Sequence, residues 1–185
     1  MRPRMGYEKL RRRMNYANIK NCDIANGPGV RVTLFVSGCT HHCEGCFNEE
    51  TWDFQYGEPF TEETVSHILT LLSPDYVAGL TLLGGEPLEP ANREALLPLL
   101  RAVKEKYPGK NIWCYTGYLF EKDILEKFCV QWEKMEEFLS YLDVIVDGEF
   151  IMARKDISLR FRGSGNQRII RVQESLKRGE AVLWE

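Results

Sequence analysis

The stretch Arg31-Val32-Thr33-Leu34-Phe35-Val36-Ser37-Gly38-Cys39-Thr40-His41-His42-Cys43-Glu44-Gly45-Cys46-Phe47-Asn48 decides the reading of this chain. Its first six residues are β-branched or apolar for the most part and read as a buried strand. A polar loop follows, holding three of the chain's six cysteines at the spacing C-x3-C-x2-C. Chemistry-bearing residues just beyond the carboxyl end of a strand are the habit of α/β folds.

Thiolates held so close in sequence belong on a metal, because soft sulfur ligands suit zinc or iron–sulfur clusters. Three readings compete. A structural zinc knot needs a fourth ligand, which His41 or His42 could supply; such sites usually draw on two separated knuckles, and no second C-x2-C pair occurs. A disulfide cluster fits poorly, since the chain has neither a secretory signal nor a dense cysteine framework. The third reading is a 4Fe–4S cluster on Cys39, Cys43 and Cys46, with one iron open to a small molecule. Spacing favours the third and leaves the others open. Cys22, Cys114 and Cys129 read as ordinary partly or fully buried cysteines.

Outward from this loop, 185 residues with 44% hydrophobic content suggest one domain with a substantial core. A formal charge of −3 argues against a general nucleic-acid footprint. The absence of a long apolar run or signal-peptide core leads us to expect a soluble, cytoplasmic protein with no membrane partner. Residues 1–13 form a basic extension that could be a helix or a disordered arm. Met14 could itself open the chain, so the extension is expected to be dispensable, leaving residues 14–185 as a single domain.

In chain order, residues 16–24 read as a short strand, and Asn26-Gly27-Pro28-Gly29 as a turn into the core strand. Asn48 to Phe54 reads as aromatics pinning the cysteine loop. Thr61 caps a helix that stops at Ser73-Pro74. Gly79 to Leu83 is a strand ending in Gly84-Gly85-Glu86-Pro87, where two glycines let the backbone approach something closely. A helix from about Asn92 to Lys106 follows, with a possible kink at Pro98. Residues 112–116 form a strand, 119–127 and 133–141 helices, and 143–146 a strand ending in Asp147-Gly148-Glu149-Phe150. The Gly-rich loop 163–167 precedes a strand at 168–172 and a short helix. The alternation predicts a mostly parallel α/β sheet. A closed eight-stranded barrel takes about 250 residues, so a partial, open barrel is the consistent answer. His41, His42 and His67 read as polar loop or surface residues.

Two motifs in this order, the cysteine loop and then Gly84-Gly85-Glu86-Pro87, resemble the radical S-adenosylmethionine (SAM) superfamily. Finer likeness runs through Phe35-Val36-Ser37-Gly38-Cys39, Cys46-Phe47-Asn48-Glu49-Glu50-Thr51-Trp52, Trp113-Cys114-Tyr115-Thr116-Gly117-Tyr118, Val146-Asp147-Gly148-Glu149-Phe150 and Gly163-Ser164-Gly165-Asn166-Gln167-Arg168. These resemble the anaerobic ribonucleoside-triphosphate reductase activating proteins, a family of small glycyl-radical activases. The resemblance implies one 4Fe–4S cluster on Cys39, Cys43 and Cys46. It implies SAM contacts at Gly45, Cys46, Phe47, Gly84, Gly85 and Glu86, with Glu86 receiving the ammonium group and Gly85 permitting close approach. Many superfamily members carry an aromatic just before the third cysteine; here that position is Gly45, and Phe47 follows instead. The implied reaction is reductive SAM cleavage, with the resulting adenosyl radical taking hydrogen from a glycine of the reductase, and no side chain needed as catalyst. An external one-electron donor such as a flavodoxin-type protein would supply the electron. The alternatives are a compact radical SAM enzyme acting on a small molecule such as a deazapurine precursor, and a zinc-stabilised binding module.

Overall fold

The computed structural model describes residues 14–184; the basic extension, residues 1–13, lies outside the described residues. The first strands, β1 (Asn15–Asp23) and β2 (Val30–Val36), pair antiparallel across a short turn, and the two-residue strand β3 (Glu58–Pro59) edges β1. Helix α1 (Glu62–Leu71) leads into β4 (Val77–Gly84), and α2 (Pro90–Lys106) into β5 (Asn111–Tyr115). A π-helical segment (Phe120–Phe128) runs into the single turn α3 (Cys129–Gln131) and then α4 (Met135–Ser140). Strand β6 (Val144–Asp147), a long loop, β7 (Arg168–Arg171) and α5 (Val172–Arg178) complete the chain.

The seven strands form one open sheet in the order β3-β1-β2-β4-β5-β6-β7. The four central strands β2, β4, β5 and β6 are parallel, as the alternation predicts. The flanks are antiparallel. At the β1 side the cause is length, since a connection as short as residues 24–29 cannot make the crossover that parallel strands need. The helix expected at 119–127 is wound more widely: the Ile124 N–H reaches back five residues to Leu119 O at 3.1 Å. Its apolar spacing still buries Phe120 and Ile124, so the sequence pattern does not separate the two coils. Thr61 caps α1 as expected, and Thr64 returns the bond to the Thr61 N–H at 3.1 Å.

Alternation along the central strands sorts side chains onto two unlike faces. Val32, Leu34, Val36, Leu80, Leu82, Ile112, Cys114 and Ile145 face the helices and form the main core with Leu96, Leu100 and Val103 of α2. The opposite face carries buried Arg31, Thr33 and Thr81 beside a second, smaller apolar cluster of Trp113, Val144 and Val146, against which Tyr115 packs. Arg31 is fully buried there, which is tolerable because its donors are matched: to Thr81 Oγ1 at 2.7 Å, Asn111 Oδ1 at 2.7 Å and Leu80 O at 2.8 Å. Burial draws its pKa down to about 10, still well above neutral pH. None of the described helices is long and apolar enough to cross a membrane.

Asp23 sits buried at the end of β1 and accepts from the Thr33 hydroxyl at 2.7 Å, Asn26 Nδ2 at 2.6 Å and the Ala25 N–H at 3.0 Å. Burial pushes its pKa up, but these bonds outweigh burial and hold it at about 2. A carboxyl with a depressed folded pKa contributes stability that is present above its unfolded value and lost as pH falls through its folded value. The stability difference between wild type and Asp23→Asn should therefore be largest above pH 4 and shrink towards pH 2. Urea denaturation across that range checks it.

Candidate functional site

The loops leaving β2, β4, β5 and β6 meet at one end of the sheet around a cavity of about 570 Å³. Its walls include Cys39, Cys43 and Cys46 from the first loop, Gly84, Gly85 and Glu86 from the second, Thr116 and Gly117 from the third, and Glu149 and Phe150 from the fourth. Gly45 is the one expected site residue that does not line it; its α-carbon is covered by Met152. Cys22 is exposed, Cys114 lies in the helix-side core and Cys129 is half-buried, and none of the three lines the cavity.

Hydrogen bonds that sequence periodicity cannot reveal tie these loops together. Glu86 is 1% exposed. One carboxylate oxygen accepts from the Leu88 N–H at 2.8 Å and the Thr116 hydroxyl at 2.9 Å. The other accepts from the Gly117 N–H at 2.9 Å and pairs with His41 Nε2 at 3.0 Å. Sequence reading aimed this carboxylate at a ligand ammonium; in the structure both oxygens are occupied by protein donors. His41 is likewise more than a bland loop residue, since its Nδ1 reaches Glu149 Oε1 at 2.9 Å. Burial pushes the His41 pKa down, yet Glu86 and then Glu149 more than offset it and raise it to about 9. The imidazole is therefore cationic at neutral pH and clamped between two carboxylates. His42 stacks on Trp52, ring centroids 4.6 Å apart, and His67 is exposed on α1.

Asn92 and Glu89 were also missed from sequence. Asn92 Nδ2 donates to Ser37 O at 3.0 Å and Glu86 O at 2.8 Å, and Glu89 accepts from the Thr40 N–H at 2.9 Å. Both residues belong to the start of α2, so the helix holds the cysteine loop from behind. Their only local signal is a polar residue in the first turn of a helix, which usually means capping. The Gly163–Gln167 loop braces the β6 end: Gln167 Nε2 donates to Gly148 O at 3.0 Å and Asn166 Nδ2 to Glu149 O at 2.8 Å.

The donor set fits an iron–sulfur group. The three sulfurs share the cavity, and backbone N–H groups point at them: Asn48 N–H at Cys46 Sγ, 3.4 Å, and those of His41 and His42 at Cys39. Burial pushes the Cys39 thiol up to about 12 despite these bonds, and the Glu86 charge adds to the rise. A bound metal cation inverts that balance, because a coordinating thiol is deprotonated outright. The zinc-knot alternative lacks a fourth ligand: both ring nitrogens of His41 are engaged with carboxylates, and His42, stacked on Trp52, does not line the cavity that the three sulfurs share. Among the described residues, no three His, Cys, Asp or Glu side chains are gathered into a cage for a single ion.

Fold and cysteine loop together define an α/β protein built for one iron–sulfur cluster, and residues 25–170 match the family model of the 4Fe-4S single cluster domain. The protein of Enterobacteria phage T4 named anaerobic ribonucleoside-triphosphate reductase-activating protein is 48% identical over 158 residues, covering 84% of this chain and 93% of its own. Proteins of the same name are 44% identical in Vibrio cholerae, covering 85% of this chain and 98% of their own, and 41% identical in Escherichia coli K12, covering 83% and 96%. The chain belongs to the family of anaerobic ribonucleoside-triphosphate reductase-activating proteins.

Two glycines make the convergence possible. A Cβ on Gly117 would stand 2.6 Å from His41 Nε2, so only glycine lets the ring reach Glu86. A Cβ on Gly85 would stand 2.7 Å from Gly38 O and 2.9 Å from Thr51 O. The lack of a side chain at Gly85 lets the backbone at Gly38 and Thr51 come close, while Gly85 still lines the cavity. Overpacking of this kind typically costs about 1–3 kcal/mol. Gly85→Ala should therefore lower both melting temperature and iron bound per chain. Gly109→Ala, where a Cβ meets nothing within 4 Å, should change neither.

Proposed function

We propose that this protein generates a glycyl radical on an anaerobic ribonucleoside-triphosphate reductase by reductive cleavage of SAM. One observation carries the reading: the three cysteines share a cavity with Gly84, Gly85 and Glu86 at the ends of neighbouring parallel strands. The names of the relatives support the choice of reductase. In this reading the open sheet is a partial radical SAM barrel. Cys39, Cys43 and Cys46 hold the 4Fe–4S cluster, and Gly45, Cys46, Phe47, Gly84, Gly85 and Glu86 surround SAM. When bound, cluster and SAM supply the one-electron and hydrogen-abstracting chemistry, which no protein side chain here can.

The chain's own residues bind, orient and exclude water. Backbone N–H groups directed at Cys39 and Cys46 stabilise thiolates. The Glu86–His41–Glu149 bridge ties three of the loops, and the bonds from Thr116 and Gly117 to Glu86 add the fourth; fixed geometry of this kind is what positions reacting atoms. With both oxygens bonded to protein, Glu86 acts on the ammonium group by its charge and by shaping the loop. The reductant is an external donor of the flavodoxin type, and the reductase itself closes the open mouth.

Ligand assignment is checked by iron analysis of anaerobically reconstituted protein. Cys39→Ser, Cys43→Ser and Cys46→Ser should each lose most of their iron, while Cys22→Ser and Cys129→Ser keep it. Function is checked by mixing protein, SAM, reductant and reductase and recording the electron paramagnetic resonance spectrum. A glycine-centred doublet with about one methionine released per radical is expected. SAM turnover that tracks an added small molecule, with no radical on any protein, would replace this reading with the small-molecule one.

A further inference from the structure

The loop between β6 and β7 exposes apolar side chains that a small ligand inside the cavity does not explain. Residues 151–158 are exposed throughout, and Ile157 reaches 93%. Ile157 nevertheless borders the cavity, as do Lys155 and Leu159. Phe47 of the cysteine loop joins this rim: it is 66% exposed, its ring lies 5.2 Å from Phe150, and Lys155 Nζ sits 5.1 Å above it. Met152 packs on the cysteine loop at Gly45. The rim is held in place by backbone bonds from Gly165 N–H to Arg154 O at 2.9 Å and from Asp156 N–H to Gly163 O at 3.2 Å.

Charge marks the same segment. Residues 151–168 carry Arg154, Lys155, Arg160, Arg162 and Arg168 against Asp156 alone, in a chain whose formal charge is −3. The cysteine loop beside it carries Glu44, Glu49 and Glu50, so the basic character belongs to this segment. Arg168 is paired with Glu121 and Asp147, but Arg154, Lys155 and Arg160 have no ion pair among the described residues. On the segment's far side a second cleft of about 230 Å³ is lined by Arg160, Arg162, Ile169 and Trp184.

We infer that residues 151–168, together with Phe47, form the docking surface for the glycine-bearing segment of the reductase, and that this segment carries apolar and acidic residues beside its glycine. The inference rests on the function proposed above. A contiguous apolar patch rimmed by polar groups marks a site of macromolecular contact. The 151–168 segment forms one side of the cavity's wall, and Ile157 lines the cavity while standing 93% exposed, so a partner that enters from outside covers surface that a ligand seated within leaves in solvent. Unpaired basic groups beside the patch select an acidic partner and speed its encounter. A second copy of this chain fits poorly, because a two-fold contact would set Arg154, Lys155 and Arg160 against their own copies.

The test uses reconstituted full-length protein, comparing wild type with Ile157→Asp and with the double variant Arg154→Glu/Arg160→Glu. Both variants should bind the reductase about tenfold more weakly or worse while keeping full iron content. Wild-type affinity should fall with added salt, and that dependence should flatten in the double variant. Partner-free SAM cleavage driven by dithionite should be unchanged in the double variant. Wild-type affinity in both variants would overturn the docking surface. So would a defect confined to reduction by a flavodoxin-type donor, or a wild-type dimer that the variants dissociate. If the wild type binds through this rim yet makes no glycyl radical, the proposed reaction fails and the docking surface stands. If all three proteins form the radical equally well, the reaction stands and the docking surface fails.

Discussion

Glu86 accepts hydrogen bonds from its own loop, from the end of β5 and from the cysteine loop, while almost wholly shielded from solvent. A buried carboxylate is costly unless its lone pairs are filled. Filling them requires Thr116, Gly117 and His41 to be in position together, and His41 in turn engages Glu149 beyond β6. The burial cost of one side chain thus becomes a constraint on four loops. Around it the backbone repeats the tie: Gly85 N–H donates to Val36 O at 2.7 Å and Glu86 N–H to Gly38 O at 2.9 Å.

This constraint accounts for features that would otherwise look unrelated. Gly117 and Gly85 lack side chains because the ring of His41 and the backbone of the cysteine loop occupy that space. Asn92 is buried in α2 because its amide reaches the loop carbonyls near Glu86. The Gly163–Gln167 loop is polar because it holds Gly148 and Glu149 from the far side. Together they leave three cysteines on the wall of one shared cavity, an arrangement suited to positioning a cofactor.

The fold was legible where it rests on local period. The β-branched and apolar runs at 30–36 and 79–83 marked central strands, the second of which the structure extends to Val77–Gly84, and Cys114, read as an ordinary buried cysteine, lies in the helix-side core. The cysteine trio was legible from spacing, and Gly84-Gly85-Glu86-Pro87 from its place after the next strand. What stayed hidden depends on long-range contact. His41 and Glu149 are 108 residues apart, and Asn92 and Ser37 are 55 apart; no local pattern pairs them. Glu86 was legible as a residue of the site, but its bonds to Thr116, Gly117 and His41 were not, because a carboxylate beside two glycines gives no local sign of partners 30 or more residues away. The antiparallel β7 edge and the wide coil at Phe120–Phe128 were likewise settled by packing rather than propensity.

Hydrogen exchange in Glu86→Gln compared with wild type reaches the central point most directly. Glutamine keeps the size of the side chain but turns an amide nitrogen towards donors it cannot accept. If Glu86 ties the loops, amide protection should fall together in residues 39–46, 84–88, 116–118 and 148–150. The amides of β4 and α2 should stay protected. A loss confined to residues 84–88, with the cysteine loop and the β5 and β6 ends unaffected, would contradict the account.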